Sequence, residues 1–224
     1  MPEPMPRTPE PEVMDEPEAA EAYARSDFSG VNQDFVDAML AFIGTLEEAR
    51  SADLGTGPGD IPLRVVRARP RWHVTALDLS EPMLDFARRR ARAEGLDDRV
   101  AFVRADAKDT GLPAHAFDVV FANSILHHID ETHALWTEVK RIAKRGAFLF
   151  MRDLARPATE AAAREIVRKH GSVGPELMQR DYYNSLLAAY TVDEVRTQLA
   201  EAGLDAVEVR RVTDRHWDAW GRVT

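Results

Sequence analysis

The sequence predicts an α/β protein built on a seven-stranded, mostly parallel sheet with helices on both faces. Three observations carry this expectation. From about Tyr23 onward, short apolar runs alternate with segments of helical spacing, as parallel strands joined by crossover helices require. The first of these runs ends in a glycine-rich turn that opens a helix. The chain then closes on a helix followed by two strand-like runs, which adds a strand pair to five alternating units.

The elements follow in order. FVDAMLAFIGTL, Phe35 to Leu46, has helical spacing, and SADLG, Ser51 to Gly55, is a short strand entering the turn. A helix begins at Ile61 and ends before Pro70. Trp72 to Leu79 is the second strand. Ser80 is placed to cap the next helix, with Glu81 and Pro82 in its first turn and Gly95 at its end. Val100 to Ala105, Phe117 to Asn123 and Gly146 to Met151 read as strands three to five, with a helix from about Glu131 to Ile142 between the last two. A helical stretch covers about Ala158 to Tyr190. Thr191 with Glu194 forms a capping box for a further helix ending near Gly203, and strands follow at Ala206 to Val212 and at WDAWGRV. Trp217 and Trp220 are expected in the core of the last strand.

Length and composition bound the rest. A chain of 224 residues, 45% hydrophobic and 30% charged, suits one domain of ordinary size. Residues 1–20 hold six prolines and little that could enter a core, so they are expected to form a disordered acidic tail ahead of a domain at 21–224. Residues 1–21 carry seven acids against one base, Arg7, and account for −6 of the net charge of −9. The nearly balanced remainder disfavours nucleic acid as a partner. The run Arg88–Arg90 with Arg92 reads as a solvated helix face. There is no cysteine, which excludes disulfides, cysteine-ligated metals and a cysteine nucleophile. The acidic start lacks the pattern of a secretory signal, and no apolar run approaches membrane-spanning length, so the expectation is a cytoplasmic protein.

The chemistry-bearing signals sit at strand ends. Asp53-Leu54-Gly55-Thr56-Gly57-Pro58-Gly59 lets backbone approach a ligand and leaves a helix N-terminus open at the carboxyl edge of the sheet. The spacing is GxGxG, and Asp60 stands where a nicotinamide fingerprint would place its third glycine. Asp78 ends the second strand, where an acid can accept from both hydroxyls of a ribose or cap the following helix. Asp106 ends the third, where a carboxylate can receive an adenine amino group or make a turn.

These residues resemble the class I S-adenosylmethionine-dependent methyltransferases. ADLGTGPGD is similar to their first motif, LDLSEPML to the second, and RADAKDTGLP with FDVVFANSILHHI to the third and fourth. The likeness covers about Tyr23 to Met151 and is strongest to the branch that methylates small metabolites. It implies a Rossmann-like sheet with a reversed last strand. It also implies S-adenosylmethionine as cofactor, with S-adenosylhomocysteine as product. By the resemblance, Asp53, Gly55, Thr56, Gly57, Pro58 and Gly59 surround the methionine moiety, and Tyr23 covers its amino-acid end. Asp78 binds the ribose, Leu79 and Met83 lie against the adenine, Asp106 and Ala107 contact its edge, and Asn123 and Ser124 face the methionine and the sulfonium.

In-line methyl displacement needs alignment and uses a base only where the acceptor must lose a proton. His127 and His128 are the candidate bases, or else they pack beneath the cofactor loop; Asp153 follows the fifth strand and joins them as a candidate. Arg152 could clamp a substrate carboxylate or enter a network with Asp153 and Arg156. Tyr182 and Tyr183, in a helical lid insert at about 157–190, face a small acceptor or pack between helices; Phe28 and Asn32 close the pocket from the other side. No metal ligand set is expected. The expected partner is a small molecule, and the protein a monomer or homodimer. Two other readings are kept open: methylation of RNA or protein, and S-adenosylmethionine binding without catalysis.

Overall fold

The computed structural model describes residues 5–10, 28–171 and 176–224. Seven strands form one sheet in the order β3-β2-β1-β4-β5-β7-β6. They are β1 (Ala49–Leu54), β2 (Trp72–Asp78), β3 (Val100–Arg104), β4 (Phe117–Asn123), β5 (Ala143–Leu154), β6 (Val207–Arg211) and β7 (His216–Arg222). Strands β1 to β5 pair in parallel, whereas β7 runs antiparallel to both β5 and β6. The reversed last strand is therefore present. Strand order turns back between β1 and β4, which sets a crevice at their carboxyl ends.

The helices among the described residues are α1 (Ser29–Ile43), α2 (Asp60–Ala68), α3 (Glu81–Ala93), α4 (Thr132–Ile142), α5 (Glu160–His170), α6 (Glu176–Ala188) and α7 (Val192–Glu201), with a 3-10 turn at Leu126–His128. One face of the sheet is covered by α1, α2 and α3 through Phe35, Met39, Leu63, Val66 and Ala91. The other is covered by α4 and α7 through Leu135, Trp136, Val139, Val195 and Leu199. Fully burying each of the Phe, Met, Leu and Val side chains among them stabilises the fold by about 1.5–3 kcal/mol. Trp217 is fully buried, as expected of the last strand, while Trp220 is half-buried beneath Arg210.

Local chemistry explains the boundaries. Ser80 caps α3 by accepting from the Met83 amide, and Thr191 and Glu194 close the expected capping box on α7. The fifth strand is longer than its apolar run. Ala143 pairs with Phe117 across an irregularity in register, and Arg152 to Leu154 pair with Asp218 to His216. The inserted stretch contains two helices, α5 and α6, packed through Ala163, Ile166, Leu186 and Ala189.

The expectation of a structureless tail needs correction at residues 5–10. This segment has no regular secondary structure but is bound to the body. The Thr8 amide donates to Leu187 O, and Arg7 donates to Ala188 O, His127 O and Asp130 at 2.6, 2.9 and 2.5 Å. Carbonyls in the last turn of a helix lack intrahelical partners, and the last turn of α6 recruits this segment with them. Arg7 also stacks on Tyr190, 4.3 Å from the ring centroid.

Candidate functional site

The site is built where β1, β2, β3, β4 and β5 end. Asp53 is almost fully buried, its Oδ2 has no hydrogen-bond partner, and burial lifts its carboxyl to about 7. Thr56, also buried, faces this carboxyl, and its hydroxyl restrains the rise. An unmet buried oxygen beside a glycine turn is what a polar ligand would satisfy.

The glycines of the turn have separate tasks. A Cβ on Gly59 would meet Ala87 Cβ at 2.7 Å, so this glycine lets α2 begin hard against α3. A Cβ on Gly55 would strike Ile125. Gly57 alone faces open space, at φ +54°, and supplies the cradle. Its amide donates to Asp78 Oδ2 at 2.8 Å, while Asp78 Oδ1 accepts from the Ser80 amide at 2.9 Å. Asp78 thus ties the glycine turn to the start of α3. Pro58 is half-buried in the same turn.

Asp106 takes the turn geometry: its Oδ1 accepts from the Lys108 amide at 2.8 Å, and its Oδ2 lies 3.2 Å from Lys108 Nζ. Met83 and Ala107 are buried and Leu79 is half-buried near the ends of β2 and β3. Asn123 ends β4. Ser124 follows at φ +56°, a conformation that costs a serine energy and clusters at functional sites. Tyr23 lies outside the described residues.

His127 and Asp153 form a buried pair. Asp153 accepts from His127 Nδ1 at 2.5 Å and from the Leu126 and Leu154 amides, both at 2.6 Å. Burial opposes charge on both, yet their mutual attraction wins: the His127 pKa is raised and the Asp153 pKa lowered. His128 stacks beside His127 with ring centroids 4.2 Å apart. Glu10 reaches both, with Oε1 3.5 Å from His127 Nε2 and 3.2 Å from His128 Nδ1. Sequence reasoning missed Glu10 and Arg7 because no local pattern signals a contact so distant along the chain.

Three substrate expectations change. Both Arg152 forks close on Asp218, at 2.6 and 2.7 Å, so the clamp for a substrate carboxylate is already filled from within β7. Tyr182 and Tyr183 join the α5–α6 packing: Tyr182 lies against Gly171, Tyr183 sits beneath Arg164, and burial pushes the Tyr182 hydroxyl to about 12. Both follow the helix-packing alternative, because their face of α6 meets α5. Asn32 donates to Asp60 at 2.9 Å and ties α1 to the start of α2, with Phe28 half-buried just before α1.

A doubly wound sheet with carboxylates at the ends of its strands and a glycine cradle at the switch point defines a nucleotide-type cofactor protein. Residues 52–151 match the family described as "Methyltransferase domain". The chain is 30% identical over 174 residues to 27-O-demethylrifamycin SV methyltransferase of Amycolatopsis mediterranei, spanning 76% of this chain and 59% of that one. It is also 30% identical over 130 residues to the ubiquinone/menaquinone biosynthesis C-methyltransferase UbiE of Rhizobium meliloti, spanning 57% and 50%. The chain thus spans only about half to three fifths of these relatives' length. A SAM-dependent methyltransferase of Aquifex aeolicus shares the fold, at 21% identity and TM-score 0.69 over 93% of this chain and 99% of that one. Over residues 52–151, then, the chain is similar to methyltransferases.

Proposed function

We propose that the protein transfers a methyl group from S-adenosylmethionine to a small-molecule acceptor by direct in-line displacement. The observation that carries this is Asp53, a buried carboxyl with an unmet oxygen beside the open Gly57 cradle. The cofactor's methionine ammonium is the group such a carboxyl would accept. Asp78 would hold the ribose, with Leu79 and Met83 against the base and Asp106 and Ala107 at its edge. Asn123 and Ser124 would border the sulfonium, and the cofactor supplies an electrophilic methyl with a good leaving group.

The chain's own contribution is alignment and exclusion of water. The helical insert at about 157–190 and the N-terminal segment serve as the lid: Arg7 and Thr8 hold the segment to the end of α6, beside the His127–His128 turn. His127, His128 and Asp153 form the proton-handling group for an acceptor that needs a base. Two similar proteins are named for 27-O-demethylrifamycin SV and for ubiquinone/menaquinone biosynthesis, which supports a small acceptor. Nucleic acid is disfavoured because two arginines of the cluster are engaged by nearby acids: Arg88 pairs with Glu81 and Asp85, Arg90 with Asp60 and Glu94. No helix among the described residues is long and apolar enough to cross a membrane. The protein is read as a cytoplasmic monomer or homodimer.

The test is incubation with labelled S-adenosylmethionine and panels of phenols, quinols, small amines, RNA and protein, read by mass. A methyl gain on a small acceptor supports the reading; label appearing only on RNA or protein overturns it.

A further inference from the structure

Glu10, His127 and His128 bring three metal-ligating side chains to one point, between the N-terminal segment and the 3-10 turn after β4. Two imidazoles and one carboxylate are a donor set that divalent zinc favours. With metal–ligand bonds of about 2.0–2.1 Å, donor atoms at the corners of a tetrahedron lie about 3.3–3.4 Å apart. The Glu10 oxygen stands 3.5 Å from His127 Nε2 and 3.2 Å from His128 Nδ1, which fits those edges.

Three further features point to a cation. Glu10 Oε1 is buried and has no hydrogen-bond partner, while Oε2 accepts from Ser185 Oγ at 3.3 Å. Asp153 accepts from His127 Nδ1, so that a cation displacing the ring's other proton would meet the Nε2 lone pair beside Glu10. This carboxylate–imidazole relay is how proteins orient a histidine ligand. Burial is the largest influence on the Glu10 carboxyl, with Asp153 and Asp181 as further negative neighbours, while the Arg7 guanidinium, which opposes positive charge at His127, is paired with Asp130.

We infer that Glu10, His127 and His128 form a binding site for a zinc-class divalent cation, with Asp153 as the positioning residue behind His127. Three protein donors leave a fourth position for water or an acceptor oxygen. A bound cation also fastens the N-terminal segment to the turn that follows β4. It takes the imidazole lone pairs that a proton acceptor would use, so a metal-loaded site and a histidine base exclude one another. The inference does not depend on the methyl-transfer reading.

Equilibrium dialysis of the chelator-treated full chain against zinc tests it, with cobalt(II) as a spectroscopic substitute. One tightly held equivalent of zinc is expected, together with the strong visible absorption of four-coordinate cobalt. Glu10→Gln and His128→Gln, checked by circular dichroism for native fold, should each weaken zinc binding by at least ~10-fold. Asp153→Asn should weaken it without removing a ligand. Absence of stoichiometric zinc overturns the site. So does zinc held equally well by both ligand variants, because the cation would then sit elsewhere, for instance beside His170 and Asp214.

Discussion

Burial holds the Asp53 carboxyl near 7, so the residue is poised to change charge when a cation arrives beside it. Binding a ligand ammonium there would lower that pKa. Below pH 7 the protonated acid must then release a proton on binding, and affinity for S-adenosylhomocysteine should fall by up to about tenfold per pH unit. Calorimetry in buffers of different ionisation enthalpy would register the proton. The sign for stability is the opposite of the common carboxylate case. The folded pKa lies above the unfolded value of 3.8, so the ligand-free protein binds the extra proton and loses stability as pH rises from 4 to 7. Asp53→Asn should remove that slope in urea titrations. Arg152 gives a second test. Its replacement by methionine leaves Asp218 buried and unpaired, which should cost about 3–5 kcal/mol of unfolding free energy. Asp53 and Asp78 were legible in the sequence because strand ends and glycine spacing fix them locally. Arg152 was misread because its partner lies on a strand that follows a long helical insert. Glu10 was illegible for the same reason, since its contacts are made by tertiary docking alone.

At the scale of the element, the glycine turn separates stability from binding. Gly59→Ala forces a Cβ to within 2.7 Å of Ala87 in a left-handed conformation, so its main effect should be a loss of about 1–3 kcal/mol in denaturant unfolding. Gly57→Ala meets no atom but must hold a left-handed φ, which should cost about 1–2 kcal/mol, and it should also weaken cofactor binding by filling the cradle. If both variants bound S-adenosylhomocysteine normally, the turn would have no role in holding it. Thr191→Ala removes a full capping box and should destabilise by about 1 kcal/mol, read by thermal unfolding. Elements were legible where apolar runs meet caps and glycines: β4 spans Phe117 to Asn123 as the pattern indicates. The ends of β5 were not. Lys144, Arg145 and Gly146 lack a strand pattern, and only pairing with β4 and β7 extends that strand.

For the molecule as a whole, the alternation of strands and helices was enough to infer a parallel sheet, and the terminal strand pair supplied its reversed edge. Neither specifies the acceptor, because the surfaces that would select it come from segments joined only in the fold: α6, the turn after β4 and the N-terminal residues 5–10. Calorimetric titration of the full chain with S-adenosylhomocysteine, run beside NADH and the Asp78→Ala variant, is the most direct test of the cofactor assignment. Micromolar binding of S-adenosylhomocysteine, none of NADH, and loss of the former in the variant are expected. Failure of the folded wild-type chain to bind S-adenosylhomocysteine, or undiminished binding by the variant, would contradict it.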